Sequence, residues 1–210
     1  MKPISECRLY AFVDTACLRG RAAEEVAQSL CEGGADLIQL RAKTASTEMV
    51  RSMARALHRL TQAADVGLVI NDSLEIAEQT GAEFCHLGQE DFSGFRHVSE
   101  LKKGNPKLQI GLSTHSPEQA QRAVAAGADY IAIGPVFATA TKPNAKPVTL
   151  ELVRWAAGHV SVPWFAIGGI TLGNVDEVLA AGASRVCVVS AILDAPDIAA
   201  ACREFRRKLL

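Results

Sequence analysis

Gly34-Ala35-Asp36-Leu37-Ile38 is the stretch that decides the fold, because it returns three times along the chain. The copies are Gly81-Ala82-Glu83-Phe84-Cys85, Gly127-Ala128-Asp129-Tyr130-Ile131 and Gly182-Ala183-Ser184-Arg185-Val186. Successive copies start 47, 46 and 55 residues apart. Each has the form of a helix stopped at glycine, a tight turn and the start of a buried strand. A single βα unit takes about half that spacing, so each repeat holds two units. The intervening strands are the apolar runs Leu9–Val13, Gly67–Ile70, Leu108–Leu112 and Pro163–Ile167. Added to the four repeat strands they make eight. They are near-continuously apolar, as strands buried on both faces are.

Helical periodicity fills the gaps. Ala23, Val26, Ala27 and Leu30 form one stripe, and Met49 or Val50 with Met53, Leu57 and Leu60 a second. Ala120, Ala123 and Val124 make a third, Val175, Val178 and Leu179 a fourth, and Ile198, Cys202, Phe205 and Leu209 the last. Ser116-Pro117-Glu118-Gln119 supplies an N-cap, a proline at N1 and a capping-box glutamine. Eight alternating βα units predict a single-domain (β/α)8 TIM barrel over residues 1–210. A doubly wound sheet needs fewer strands and leaves the fourfold repeat unexplained. In the barrel, catalytic groups belong at the C-terminal ends of strands.

Composition narrows the functional classes. The 210 residues suffice for a substantial core. A net charge of −1 with 5% aromatics argues against nucleic acid as partner. No apolar run approaches the roughly 20 residues of a membrane span. Met1–Glu6 lacks the apolar stretch of a signal peptide, so a cytoplasmic location is expected. The six cysteines are scattered without a Cys-x-x-Cys spacing, which argues against zinc or redox chemistry. Cys85 and Cys187 lie in apolar runs and read as small buried hydrophobes.

The polar groups at the strand ends are more telling. Strand 2 ends in Gln39-Leu40-Arg41-Ala42-Lys43. Gln39, Arg41 and Lys43 alternate, so an extended chain points them one way, towards an anion; the bland alternative is solvated rim charge. Asn71-Asp72 follows strand 3, where Asp72 or Ser73 could simply cap a helix over Leu74–Gln79. His86-Leu87-Gly88-Gln89-Glu90-Asp91 follows strand 4, with His86 read as a packing residue. Asp72 and Asp91, ending neighbouring strands, suit Mg2+ and hence a phosphate or diphosphate substrate. Ser113-Thr114-His115-Ser116 lacks a nucleophile elbow, so its hydroxyls read as donors to a polar ligand and Ser116 as a helix cap. The insert Gly134–Val148 reads as a lid, in which Thr139, Thr141 and Lys142 make an anion set. Gly168-Gly169 and Val189-Ser190 occupy the loops after strands 7 and 8, the usual phosphate site of such barrels.

Together Gln39–Lys43, Asn71-Asp72, His86–Asp91, Ser113–Ser116, Gly134–Lys142, Ala166–Ile170 and Val188–Ile192 closely resemble the thiamine phosphate synthase family. The resemblance runs from Leu9 to Leu193. It implies a transferase that joins 4-amino-5-hydroxymethyl-2-methylpyrimidine diphosphate to 4-methyl-5-(2-hydroxyethyl)thiazole phosphate, or its carboxylated precursor. Mg2+ is implied, at Asp72 and Asp91, and the implied route is dissociative. Arg41, Lys43, Ser113 and Lys142 are the implied catalytic groups. Gln39, Leu40, Ala42 and Asn71 join those four around the pyrimidine diphosphate. Thr139, Ala140, Thr141, Gly169, Val189 and Ser190 would hold the thiazole phosphate. The implied partners are these small molecules, with a homo-oligomer left open. Three positions depart from the common pattern: Ala42 where an acid often lies, Ala138 in place of proline, and Val13-Asp14-Thr15 at the end of strand 1. Rival readings are a thiazole tautomerase on the same barrel, which would use His115, and a non-catalytic phosphate-ligand sensor.

Overall fold

The computed structural model describes residues 1–102, 104–139 and 146–210. Eight parallel strands close a barrel in sequence order: β1 Leu9–Asp14, β2 Leu37–Arg41, β3 Gly67–Asn71, β4 Phe84–Leu87, β5 Gln109–Thr114, β6 Tyr130–Ile133, β7 Trp164–Ile167 and β8 Val186–Cys187. Closure comes from Leu9 and Tyr10 of β1 lying in register with Val186 and Cys187 of β8. The helices are α1 Ala23–Glu32, α2 Thr47–Ala63, α3 Leu74–Thr80, α4 Gln89–Phe92, α5 Pro117–Ala125, α6 Thr149–His159, α7 Val175–Ala180, α8 Ser190–Leu193 and α9 Ile198–Lys208. The (β/α)8 expectation therefore holds, with the fourth helix reduced to a single turn.

The repeat is a helix-to-strand junction. Gly34, Gly81, Gly127 and Gly182 take φ of 83°, 74°, 83° and 103°, the left-handed region that spares only glycine its steric cost. The following alanine then donates its N–H back to the helix, as in a Schellman motif. Ala35 reaches Leu30 O at 3.1 Å, Ala82 reaches Ala77 O at 3.0 Å, Ala128 reaches Ala123 O at 3.0 Å and Ala183 reaches Val178 O at 3.3 Å. The acid in third place has a separate duty. Asp36 Oδ2 accepts from Arg8 N at 2.8 Å and Leu9 N at 3.0 Å, where β1 begins. Glu83 Oε2 accepts from Leu68 N at 3.0 Å in β3, and Asp129 Oδ2 from Ile110 N at 2.7 Å in β5. Each acid ties its own strand to the start of the strand before it. The fourth copy has Ser184, which bonds Arg185 instead.

Side chains along each strand alternate between two cores. Leu9, Ala11, Val13, Ile38, Leu40, Leu68, Ile70, Cys85, Ile110 and Ile131 face outward onto the helices. Tyr10, Phe12, Leu37, Val69, Phe84, Tyr130, Phe165 and Cys187 fill the barrel. Both tyrosines of the chain are thus in its interior. Phe165 meets Tyr10 edge-on at 5.4 Å and Tyr130 at 5.9 Å, and Phe84 meets Tyr130 at 6.1 Å. Gly111 makes room for this layer, since a Cβ there would collide with the Tyr130 ring.

The stripes on α1 and α9 are buried as read from the sequence. On α2 the buried line is Ala54, Leu57 and Thr61, while Met49, in the first turn, is 59% exposed. Ser116 caps α5 by accepting from Gln119 N at 3.3 Å, and Gln119 Oε1 accepts from His115 N at 2.7 Å. Helix α6 was outside the stripes, because its buried Leu152, Val153 and Ala156 make only a short patch.

Two stability predictions follow from the junctions. No atom lies within 4 Å of a Cβ built on Gly127, so Gly127→Ala incurs backbone strain alone and should cost about 1–2 kcal/mol in urea unfolding. At the first junction Asp36 is buried, which raises its pKa. Lys2 Nζ at 2.8 Å, the Arg8 and Leu9 N–H groups and the Arg206 guanidinium outweigh that and lower it. Its stabilising contribution is therefore present above the unfolded value of about 3.9 and is lost as pH falls through the lower folded pKa. Asp36→Asn should destabilise the neutral protein by about 3 kcal/mol and flatten the acid limb of the pH–stability curve. Urea titrations from about pH 7 to about pH 3 measure both effects.

Candidate active site

One cavity opens at the C-terminal ends of the strands, above the aromatic layer. It is lined by Gln39 and Arg41 of β2, Asn71 of β3, His86 of β4 and Ser113 of β5, with Thr139, Gly169, Val189 and Ser190 from the loops beyond β6, β7 and β8. Alternation puts them there. Gln39 and Arg41 share parity with the inward Leu37, Asn71 with Val69, His86 with Phe84, and Ser113 with Gly111. By the same rule Leu40 points the other way, buried in the helix-facing core with Ala42 packed beside it. Neither side chain lines the cavity, so a ligand could meet these two residues only through the backbone.

The inward polar groups are connected. The Gln39 amide nitrogen donates to the Tyr10 hydroxyl, and Tyr10 lies 3.4 Å from the Tyr130 hydroxyl. Tyr130 is 3.2 Å from His86 Nδ1, and His86 Nε2 is 2.9 Å from Ser113 Oγ. Burial holds both tyrosine pKa values well above the ordinary 10. Gln89 Nε2 steadies the same corner by donating to Ser113 O at 2.6 Å. His86, read from the sequence as packing, thus holds a site residue. No local motif announces the chain of contacts, because its members come from five strands.

Arg41 is held by a partner the sequence did not single out. Its Nη1 donates to Asp14 Oδ2 at 2.7 Å, and Asp14, ending β1, is almost fully buried. The other guanidinium donors remain for the cavity. Lys43 lies past the strand end, does not line the cavity, and pairs with Asp72 Oδ2 at 3.3 Å. Arg41 and Lys43 are therefore not continued along one strand face as expected.

Ser73, not Asp72, caps α3, accepting from Ile76 N at 3.3 Å. Asp72 is free of that duty and sits at φ 61°, a left-handed conformation unusual for a side-chain-bearing residue and enriched where function demands it. Asn71 Nδ2 donates to Asp72 Oδ2 at 2.6 Å, linking the acid to the cavity wall. Asp91 lies in α4, where its Oδ2 accepts from Gly88 N at 2.8 Å. Burial raises the Cys85 thiol pKa, and the charges of Asp72, Asp91 and Glu78 add to that rise. Among the described residues no group of three or more His, Cys, Asp or Glu is assembled as a metal cage. Two oxygen-donor carboxylates suit a cation that keeps water and substrate oxygens in its shell. Asp72 already attracts one cation, the Lys43 ammonium.

At the opposite wall Gly168 and Gly169 take φ of 101° and 65°. The segment after β6 lies against them: Val136 N reaches Ile167 O at 2.8 Å and Phe137 N reaches Gly168 O at 3.0 Å. A Cβ on Gly169 would stand 2.5 Å from Ala138 O and 2.7 Å from Phe137 Cβ. Asn174 Nδ2 fixes the turn by donating to Gly169 O at 2.9 Å. His115 also faces the cavity, with Nδ1 bonded to Gly134 O. Ala140, Thr141 and Lys142 lie outside the described residues.

Residues 9–192 match the family model described as thiamine monophosphate synthase. The thiamine-phosphate synthase of Halalkalibacterium halodurans is 40% identical over 201 residues, covering 94% of this chain and 93% of that protein. Its counterpart in Lawsonia intracellularis is 40% identical over 203 residues, covering 96% and 92%. Among solved structures, the thiamine phosphate pyrophosphorylase of Pyrococcus furiosus superposes with a TM-score of 0.88 at 33% identity, covering 99% of this chain and 98% of that one. Fold and relatives together define a (β/α)8-barrel transferase whose polar cavity opens at the C-terminal ends of its strands. No helix of the described residues is long and apolar enough to cross a membrane. The chain belongs to the thiamine monophosphate synthase family.

Proposed function

We propose that this chain joins 4-amino-5-hydroxymethyl-2-methylpyrimidine diphosphate to 4-methyl-5-(2-hydroxyethyl)thiazole phosphate, or its carboxylated precursor, to give thiamine phosphate and diphosphate. The observation that carries the reading is the convergence of Gln39, Arg41, Asn71, Ser113, Thr139, Gly169, Val189 and Ser190 on one cavity. The chemistry needs no protein nucleophile. The bond between the pyrimidine methylene and the diphosphate oxygen breaks, and its electron pair leaves with the diphosphate. The thiazole nitrogen lone pair then forms the new bond to the methylene carbon.

Each residue has a part in that sequence. Arg41, kept in place by buried Asp14, offers its remaining N–H donors to diphosphate oxygens. Lys43 and Lys142 add point charges to the same group. Gln39, Asn71 and Ser113 orient the pyrimidine, with the Leu40 and Ala42 backbone beside it. Thr139, Ala140, Thr141, Gly169, Val189 and Ser190 hold the thiazole phosphate. The Gly169 and Ser190 amides, which make no hydrogen bond to another described residue, suit that role. Asp72 and Asp91 would hold Mg2+, whose contribution when bound is to neutralise charge gathering on the departing diphosphate. Holding both substrates in line lowers the barrier further. The tautomerase alternative has no use for a metal pair at Asp72 and Asp91 or for the Thr139-Ala140-Thr141-Lys142 set.

Purified protein given both substrates should form thiamine phosphate with Mg2+ and lose that activity with chelator; no product under either condition would overturn the reading. Asp91→Asn keeps an oxygen to accept from Gly88 N while removing the charge. It should therefore leave folding intact and cut the rate by about 100-fold or more, beyond what losing an outer-shell group costs. A folded variant with near-normal turnover would dismiss Asp91 as a metal ligand. Gly169→Ala must push back the Phe137–Ala138 backbone and should raise KM for the thiazole phosphate about tenfold or more, with a smaller change for the pyrimidine diphosphate. Equal changes in both KM values would argue against a thiazole phosphate site there.

A further inference from the structure

The polar line through the barrel does more than fill space. Its five members run Gln39, Tyr10, Tyr130, His86, Ser113, and only the two ends present a polar atom whose role is undecided. A hydroxyl carries one proton, and a neutral imidazole carries one N–H and one lone pair. A member in the middle must therefore accept on one side if it donates on the other. A buried hydroxyl that accepted from both neighbours would leave its own proton without a partner, so the line that pairs every proton takes one sense.

In this structure the sense is set at Gln39, whose nitrogen faces Tyr10. The sense that pairs every proton then has Tyr10 donating to Tyr130 across 3.4 Å and Tyr130 donating to His86 Nδ1 across 3.2 Å. His86 is left with its proton on Nε2, which it donates to Ser113 Oγ across 2.9 Å. The Ser113 proton is released to the cavity. At the far end, Gln39 Oε1 is an acceptor towards the same cavity. Reversing the line turns over the Gln39 amide, changes the His86 tautomer and exchanges the two ends: Gln39 becomes the donor and Ser113 the acceptor. Burial favours a single sense, because Tyr10 and Tyr130 are almost wholly buried, where a missing partner is costly. The tyrosines also hold their protons, as their raised pKa values require.

We propose that Tyr10, Tyr130 and His86 are positioning residues that fix this hydrogen-bond sense and so make the site select a 4-amino over a 4-oxo pyrimidine. The inference rests on the pyrimidine reading given above. With the line in this sense, Gln39 Oε1 accepts from the exocyclic amine and Ser113 donates to a ring nitrogen. A 4-oxo ring sets its carbonyl oxygen against Gln39 Oε1, acceptor against acceptor, which is a repulsive element against the wrong substrate. Cutting the line in the middle leaves the Tyr10 hydroxyl free to turn towards Gln39, so the amide can flip and welcome the oxo ring.

The test compares Kd values of the 4-amino and 4-oxo pyrimidine diphosphates in the presence of Mg2+ and without thiazole phosphate, by calorimetry. The wild type should favour the amino compound by about 100-fold. Tyr130→Phe, which keeps the ring over Gly111, and Tyr10→Phe should each shrink that ratio at least tenfold. A purely structural tyrosine would weaken both compounds alike and leave the ratio unchanged, which would overturn the proposal. A second measurement needs no variant: 15N NMR of His86 in the wild type should show the neutral Nε2–H tautomer, and an Nδ1–H tautomer would equally overturn it. Mg2+-dependent formation of thiamine phosphate by the same wild-type sample separates the two levels. If that reaction proceeds while the ratio test fails, the relay falls and the synthase reading stands. If neither pyrimidine binds and no product forms, the synthase reading falls.

Discussion

Three carboxylates, Asp36 buried and Glu83 and Asp129 half-buried, hold the barrel in register. Asp36, Glu83 and Asp129 each sit one residue ahead of a strand and accept the first N–H groups of the strand before it. Parallel pairing is slanted and slightly weaker per residue than antiparallel pairing, and its strand starts leave N–H donors that water cannot reach once the helices close over them. A carboxylate is the strongest acceptor available for such a donor. The preceding glycine and alanine deliver it there by ending the helix in a fixed geometry. Where the fourth copy has Ser184, the bracket is absent, and β8 is the shortest strand, of two residues.

Register in turn determines which residues face inward. A one-residue slip would move Gln39, Asn71, His86 and Ser113 from the cavity to the helix side. The junctions at the base of the barrel and the site at its mouth are thus linked along the strands, although no side chain of one touches the other. This is why the fold was legible in the sequence: the repeat is a local signal, made of adjacent residues whose backbone demands are distinctive. The strand ends that carry polar groups were legible for the same reason.

What was not legible depends on contacts between distant strands. Leu40 sits in the middle of a polar string, and only the observed alternation shows its side chain leaving the cavity. Asp72 and Ser73 were equal candidates for capping α3 until the Ser73 hydroxyl was seen to take Ile76 N. Asp14 looked like a departure from the family pattern at the end of strand 1, and it is the anchor of Arg41. The members of the line from Gln39 to Ser113 lie up to 120 positions apart, from Tyr10 to Tyr130, on five strands, with no periodicity to reveal them. Helix α6 was hidden because its apolar residues cluster rather than recur.

The interior also explains how a cationic intermediate could survive on the proposed dissociative route. Such an intermediate reacts with any nucleophile within reach, so the walls must present none. Cys187 lines the cavity, yet burial raises its pKa well above the ordinary 9 and keeps it a thiol rather than a thiolate. Tyr10 likewise stays a phenol. His86 has both ring nitrogens engaged by Tyr130 and Ser113. Phe12 and Ile167 make up apolar wall between them. Cys187, Tyr10 and His86 are each quieted by burial or by a hydrogen bond, which favours the thiazole nitrogen over them as the attacking base. On the proposed route the buried aromatic floor would serve catalysis twice. It would strengthen the polar contacts above it by lowering the local dielectric, and its aromatic carbons would present no nucleophilic atom to the cation.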